Sequence, residues 1–346
     1  MPDLPVSPLR LSLDADALIA NWRALDQLSG AASAGAAVKA DAYGLGARRV
    51  VPLLRDAGCS NFFVAHWQEA AELLDLIPPS SISVLHGPLT AEDAAYARQS
   101  GVRPVINSLD QARRWVKAGG GPCDLMLDTG INRLGLPLAD LADPALAALQ
   151  VDGLLSHLAS ADEASPLNEV QRQRWQAARG QVPHQHASLA NSAGITLGSA
   201  YHGDLTRPGL ALFGGVPCAA LAPHIRQVAQ PEVQLMQVRE LQAGDTVGYN
   251  ATFTAPGPMR VGVLALGYAD GYLRCWSGKG AMLADGVRLP VLGRVSMDMT
   301  VIDLSTVPHL REGDWLALDY HLPSAAAASG LSQYELLTLL GRRFAR

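Results

Sequence analysis

Eight short apolar runs recur along the first two-thirds of the chain. They end near Lys39, Val64, His86, Ile106, Asp128, His157, Ala190 and Arg207. Amphipathic stretches separate most of them, at Arg48–Ala57, Trp67–Leu76, Ala91–Gln99, Leu109–Val116, Leu138–Leu149 and Val170–Arg179. Strands that pair in parallel need a long crossover, which is usually a helix. The alternation therefore predicts a (β/α)8, TIM-like α/β barrel over about residues 11–225, with the last unit short. Leu9 to Leu13 alternates as a short strand does. Asp14 can cap a helix running to about Ser29, where Gly30 stops it.

After Pro223 the texture changes. Val228–Val238, Thr246–Phe253, Val261–Leu266, Ala281–Leu283, Leu289–Val291, Thr300–Asp303 and Trp315–Leu318 read as strands between Gly and Pro turns. A mainly β domain is expected over 226–346, closed by an amphipathic segment at Ser332–Phe344 that is helical to Leu340.

With 346 residues, nearly half of them hydrophobic, the chain can build two cores. Its net charge of −5 makes no basic field for nucleic acid. No apolar run reaches membrane-spanning length, and Met1-Pro2-Asp3 has neither a basic n-region nor an apolar h-region, so a cytoplasmic protein is expected. Cys59, Cys123, Cys218 and Cys275 are far apart, which favours reduced thiols over disulfides or zinc. His184 and His186 share a strand face, but a third ligand is not evident, and no metal is expected.

Chemistry in such a barrel sits where strands end. The chain has three lysines, Lys39, Lys117 and Lys279. The last two lie beside glycines and read as solvated. Lys39 ends an apolar run, where loss of water lowers an ammonium's pKa and makes a nucleophile able to form a Schiff base. On position alone the plainer reading stands first: a strand-end lysine reaching into solvent. Arg133, among glycines after the fifth run, can fork onto a carboxylate. Asn191-Ser192-Ala193-Gly194 and Arg207-Pro208-Gly209-Leu210 follow the seventh and eighth runs, where barrels hold phosphate.

Val38-Lys39-Ala40-Asp41-Ala42-Tyr43-Gly44 resembles the pyridoxal-phosphate segment of alanine racemases. Similar stretches follow in order: Asp128–Gly135, Ser156–Glu163, Asn191–Gly194, Arg207–Leu210, Gly248–Thr252, Leu266–Tyr272, Gly293–Met299 and Tyr334–Thr338. The resemblance implies pyridoxal 5′-phosphate carried on Lys39 as an internal aldimine. Tyr43, Ser192, Gly209, Leu210 and Tyr334 would surround its phosphate, with Asn191 beside them. Arg207 would face the ring nitrogen, and His157 would join the hydrogen-bond network of the ring. Because a guanidinium keeps its protons, Arg207 would leave the cofactor a weaker electron sink and restrain side reactions. Arg133 would take the substrate carboxylate, as would the backbone of Met297, and Asp162 would line the entrance.

The resemblance also implies two bases: Lys39 for the proton of D-alanine, and Tyr268 for that of L-alanine. A phenol needs nearby positive charge for this, for which His157 and Arg207 are the expected sources. Tyr268 and Met297 would come from a partner subunit, making a head-to-tail homodimer with composite sites. An N-terminal strand within residues 1–10 would join the β domain. One departure stands out. Many relatives place a lysine, modified to a carbamate, seven residues before this arginine; this chain has Met126. Arg133 is then expected to be held by Asn132 or a bound anion. A racemase of larger amino acids, a decarboxylase and a cofactor-carrying regulator are the alternatives. The product would serve cell-wall synthesis or alanine breakdown.

Overall fold

The computed structural model describes residues 5–345. It divides into two compact units. One is Ala15–Arg226; the other joins the N-terminal segment up to Asp14 to Gln227 onward.

The first unit is the barrel. Its opening helix α1 (Ala15–Leu28) buries Ala17, Leu18, Trp22 and Leu25 on one face. Buried Asn21 on that face clasps the far end of the unit. Its amide donates to Leu212 O and Arg226 O, and its carbonyl accepts from Arg226 N. The first barrel strand is split at Gly35 into β2 (Ser33–Ala34) and β3 (Ala36–Ala37), after the chain's first strand β1 (Leu9–Leu13). A side chain at Gly35 would press on Asn61 O at 2.9 Å, so a glycine belongs there. The parallel series continues through β4 (Phe62–Val64), β5 (Ile82–Val84), β6 (Arg103–Ile106) and β7 (Pro122–Asp128), which also pairs with β8 (Leu136–Pro137). It ends with β9 (Gln150–Leu155), β10 (His186–Ser188) and β11 (Leu205–Thr206). Asp204 N donates to Ala187 O, and β11 pairs in parallel with β2, which closes the circle.

Outside lie α2 (Ala47–Ala57), α3 (Trp67–Ala71), α4 (Ala91–Ser100), α5 (Leu109–Lys117) and α6 (Pro166–Arg179). Thr90, Ser108 and Ser165 cap the last three with their hydroxyls. The stretch Leu138–Leu149 departs from expectation. It makes only two 3-10 turns, Leu138–Asp140 and Pro144–Leu146. Pro144 lacks the N–H a helix interior needs, and Asp143 turns its carboxylate onto Ala145 N instead. The segment after Trp67 likewise stops short of Leu76, at Ala71. No α-helix follows β10 or β11; short 3-10 turns stand there. α1 packs against α2 and the Leu210–Phe213 turn, covering that side.

The second unit is antiparallel. Its spine is β12 (Ala229–Leu241), which pairs with β1. Residues 5–8 of the expected N-terminal strand are not strand, and 1–4 lie outside the described residues. A hairpin of β13 (Thr246–Val247) and β14 (Phe253–Thr254) stands where one strand was expected. β15 (Met259–Leu264), β16 (Ala281–Ala284), β17 (Val287–Leu292), β18 (Thr300–Asp303) and β19 (Trp315–Leu318) complete the sheet. Two helices follow, α7 (Leu322–Ser329) and α8 (Gln333–Thr338). Among the described residues no helix is long and apolar enough to cross a membrane.

At the N-terminal end of the barrel strands sits a polar cluster that sequence reading missed. Buried Asp124 accepts from Ser83 Oγ at 2.6 Å and Gly153 N at 3.0 Å. Asp124, Asp152 and His186 come within metal-ligand reach of one another. A resident cation is already there: Arg103 pairs with Asp152, and its Nε lies 3.9 Å from Asp124. The guanidinium at this cluster makes it a structural network. Arg103→Met should leave Asp124 buried and uncompensated. The expected cost is about 3 kcal/mol, read as a lower urea midpoint for the barrel unit.

Candidate active site

The C-terminal mouth of the barrel is built around an unusual backbone. Directly after β3, Ala40, Asp41, Ala42 and Tyr43 all have φ between 53 and 56°, so Lys39–Tyr43 forms a single left-handed turn. Each L-residue in that conformation costs about 1–2 kcal/mol. Specific bonds offset the strain. Ala42 N donates to Val38 O, Gly44 N to Ala40 O, and Gly46 N to Asp41 O. Asp41 Oδ1 takes Ala47 N at 2.6 Å. Glu69, on α3, accepts from Ala40 N and Ala65 N, both at 2.7 Å. Tyr43 is buried with its ring 4.9 Å from that of Phe213.

The turn brings the Tyr43 phenol to the loop after β11. A side chain at Gly209 would meet Tyr43 Oη at 2.2 Å, so the backbone and the hydroxyl touch across a gap only glycine permits. Ser192, from the loop after β10, joins them: its Oγ accepts from Gly209 N at 3.0 Å and Ala211 N at 3.2 Å. Leu210 is buried beside them, and Asn191 holds its own loop by accepting from Gly194 N. Two hydroxyls and a row of backbone amides thus converge from three barrel strands.

Arg207 lies buried next to this cradle. Its guanidinium donates to Ser188 Oγ and Ser156 O and sits 5.9 Å over the Phe63 ring. Burial lowers its pKa to about 10, and Asp124 opposes this. His157 follows β9. Burial, then the charges of Arg207, Arg133 and Lys39, push it down to about 3. Lys39 is lowered first by burial and then by Arg133, with Glu69 pulling the other way. His157 thus lies within the field of Arg207, Arg133 and Lys39.

Arg133 itself is exposed, on a loop pinned by Asp128, whose Oδ1 accepts from Gly130 N and Asn132 N. Among the described residues its guanidinium has no hydrogen-bond partner, and the Asn132 side chain does not hold it. Met126 lies beneath, buried with Ala37, Phe63, Val105, Leu155 and Leu205 in an apolar plug.

Other residues at the mouth escaped sequence reading. Glu69 is one. His66 and His86 form an edge-on pair with centroids 4.4 Å apart, and His86 is lowered by burial, His66 and Lys39. Buried Gln171 on α6 donates to Thr129 Oγ1 and His157 O and accepts from Ala159 N, tying two loops together. Only His86, at a strand end, carried a sequence signal.

Tyr268 and Met297 belong to the β unit, where the structure brings them together. Tyr268 N donates to Ser296 O and Ala269 N to Met297 O, both at 3.0 Å. The Met297 side chain is exposed. The cation against the Tyr268 ring within this unit is Arg274, 5.3 Å from the centroid, a neighbour the sequence had not suggested. Tyr334 stands exposed at the start of α8.

Two family models match the chain: the N-terminal domain of alanine racemase over residues 13–217, and its C-terminal domain over 228–346. An alanine racemase of Rhodospirillum rubrum is 44% identical, over 97% of this chain and 94% of its own. One of Methylobacterium nodulans is 42% identical, over 97% and 95%. The crystal structure of alanine racemase from Bartonella henselae with covalently bound pyridoxal phosphate superposes with a TM-score of 0.91, at 34% identity and 99% coverage of both chains.

The depressed His157 carries a stability consequence. Neutral in the fold, it binds a proton readily once unfolded, so it favours the folded state above about pH 6.5 and that benefit is lost as pH falls. Between pH 7 and 5 the cofactor-free protein should lose up to about 2 kcal/mol from this group. Chemical denaturation of wild type and His157→Gln at both pH values should show a flatter dependence in the variant.

Proposed function

The chain belongs to the alanine racemase family, and on that footing we propose that it interconverts L- and D-alanine with pyridoxal 5′-phosphate held at Lys39. The observation that carries this is the barrel mouth: a lysine whose proton affinity is lowered by burial and by Arg133, and a neutral histidine, beside a cradle of hydroxyls and amides floored by Gly209. A cradle that one added Cβ would fill fits a phosphate, and a buried guanidinium fits a ring nitrogen that must accept a hydrogen bond. Lys39 Nζ would hold the cofactor covalently. Tyr43, Asn191, Ser192, Gly209, Leu210 and Tyr334 would hold its phosphate end, and Arg207 and His157 its ring.

When bound, the cofactor supplies an electron sink that acidifies the Cα–H of an attached amino acid. The rest is done by the protein. Arg133, exposed and unengaged, binds the substrate carboxylate, supported by the backbone of Met297. Lys39, its affinity for protons lowered, takes the Cα proton of D-alanine at Nζ while Tyr268 delivers one from Oη to the opposite face; for L-alanine Tyr268 takes the proton and Lys39 delivers it. Arg274 lies against the Tyr268 ring. Arg207, which keeps its own protons, would donate a hydrogen bond to the ring nitrogen.

Tyr268 and Met297 reach the site from a second protomer in this reading, so a homodimer with two composite sites is inferred, acting in the cytoplasm. Exposure of the Met297 side chain supports this reading.

Reduction with borohydride should fix the cofactor's mass on the Lys39 peptide, and Lys39→Ala should abolish both that mass and racemisation. In deuterated water, Tyr268→Phe should stop α-hydrogen exchange of L-alanine while D-alanine still exchanges. A panel of L-amino acids, with carbon dioxide measured in parallel, separates an alanine racemase from a broad racemase or a decarboxylase.

A further inference from the structure

The turn bearing Tyr268 is gripped from two sides. On one, its amides bond to Ser296 O and Met297 O, and a Cβ at Gly267 would lie 2.3 Å from Met297 O. On the other, Gly341 N donates to Asp270 O, and a Cβ at Gly271 would lie 2.0 Å from Leu339 O. The turn is therefore sandwiched between the Ser296–Asp298 loop and the C-terminal segment, with no slack on either face.

Asp270, two residues after Tyr268, is fully buried. Its Oδ2 accepts from Gly267 N at 2.9 Å, but its Oδ1 has no hydrogen-bond donor among the described residues. The charge there is met by Arg343, whose Nε lies 3.2 Å away. The same guanidinium donates from Nη1 to Asp298 Oδ1 at 2.7 Å, next to Met297. Arg343 is fixed in turn through its carbonyl, which accepts from Ser7 Oγ at 2.6 Å. One cation thus bridges the two sides of the sandwich through the carboxylate at its centre. Burial raises the proton affinity of Asp270, while Gly267 N–H and Arg343 oppose this. A buried carboxylate with a single counter-ion is a poor choice for stability alone.

We propose that the Asp270–Arg343–Asp298 cluster is a positioning device that locks the Tyr268 turn and the Met297 loop into one rigid body. Asp270 and Arg343 touch no reacting atom. They set where the phenol stands, so the inference rests on the reading of Tyr268 as a base. Arg343 is half exposed, so its loss loosens the turn without removing core packing.

The test compares wild type, Arg343→Met, Arg343→Lys and the milder Asp298→Asn, with Tyr268→Phe as control. Amide hydrogen exchange of the protein with and without cofactor is the first readout. Arg343→Met should speed exchange in residues 266–272 and 296–299 together while the β15 strand is unchanged, and Arg343→Lys should restore protection. The second readout is α-hydrogen exchange of each alanine enantiomer in deuterated water. Arg343→Met should slow exchange of L-alanine about tenfold relative to D-alanine, and Asp298→Asn should do so to a smaller extent. Unchanged protection in both segments, or equal slowing for both enantiomers, overturns the proposal. Should Tyr268→Phe leave L-alanine exchange intact, the base assignment itself fails, a result distinct from failure of the clamp alone.

Discussion

Positive charge crowded at one end of a barrel governs this protein. Lys39, Arg133 and Arg207 all act on His157, Arg133 also acts on Lys39, and among the described residues the carboxylate acting on Lys39 is Glu69. Burial first, and then the neighbouring cations, make Lys39 and His157 both give up protons more readily than usual. The same crowding demands anions. A phosphate and a substrate carboxylate would relieve it, while burial keeps the proton affinity of Lys39 lowered for covalent chemistry and for proton transfer. Binding and reactivity follow from one electrostatic arrangement.

Holding that arrangement takes rigid support. The left-handed turn after Lys39 stores strain, and Asp41, Glu69 and the buried Tyr43–Phe213 contact keep it in place. The turn separates two functions carried by one short segment: the amine at its start and the phenol at its end, the latter delivered against Gly209. On the opposite wall Gln171, Thr129 and Ser156 tie the loops after β7 and β9 together and carry the carbonyl that Arg207 grips.

Most of the barrel is legible from the sequence, since buried parallel strands read as short apolar runs and the outer helices as amphipathic ones. Legibility fails where local chemistry overrides pattern. Leu138–Leu149 has helical periodicity, but Pro144 and Asp143 break it. Leu322–Ser329 is helical without a strong pattern, because its alanine run offers no polar face to contrast with a buried one. In the site, Lys39, Arg133, His157, Ser192 and Arg207 are marked by their strand-end positions. The left-handed turn is not marked, since Ala40, Asp41 and Ala42 have no intrinsic preference for positive φ; tertiary bonds impose it. Glu69, Gln171, Arg274 and the Arg343–Asp270 pair act from elements distant in sequence, and no local motif announces them.

With three lysines in the chain, the central claim has a clean test. Competitive acylation of the cofactor-free protein across a pH series, followed by peptide mapping, reports the titration of each amine separately. Lys39 should titrate below the ordinary range of a lysine amine, and Arg133→Gln should move it back toward that range. A Lys39 that titrates in the ordinary range, unmoved by loss of Arg133, would contradict the account.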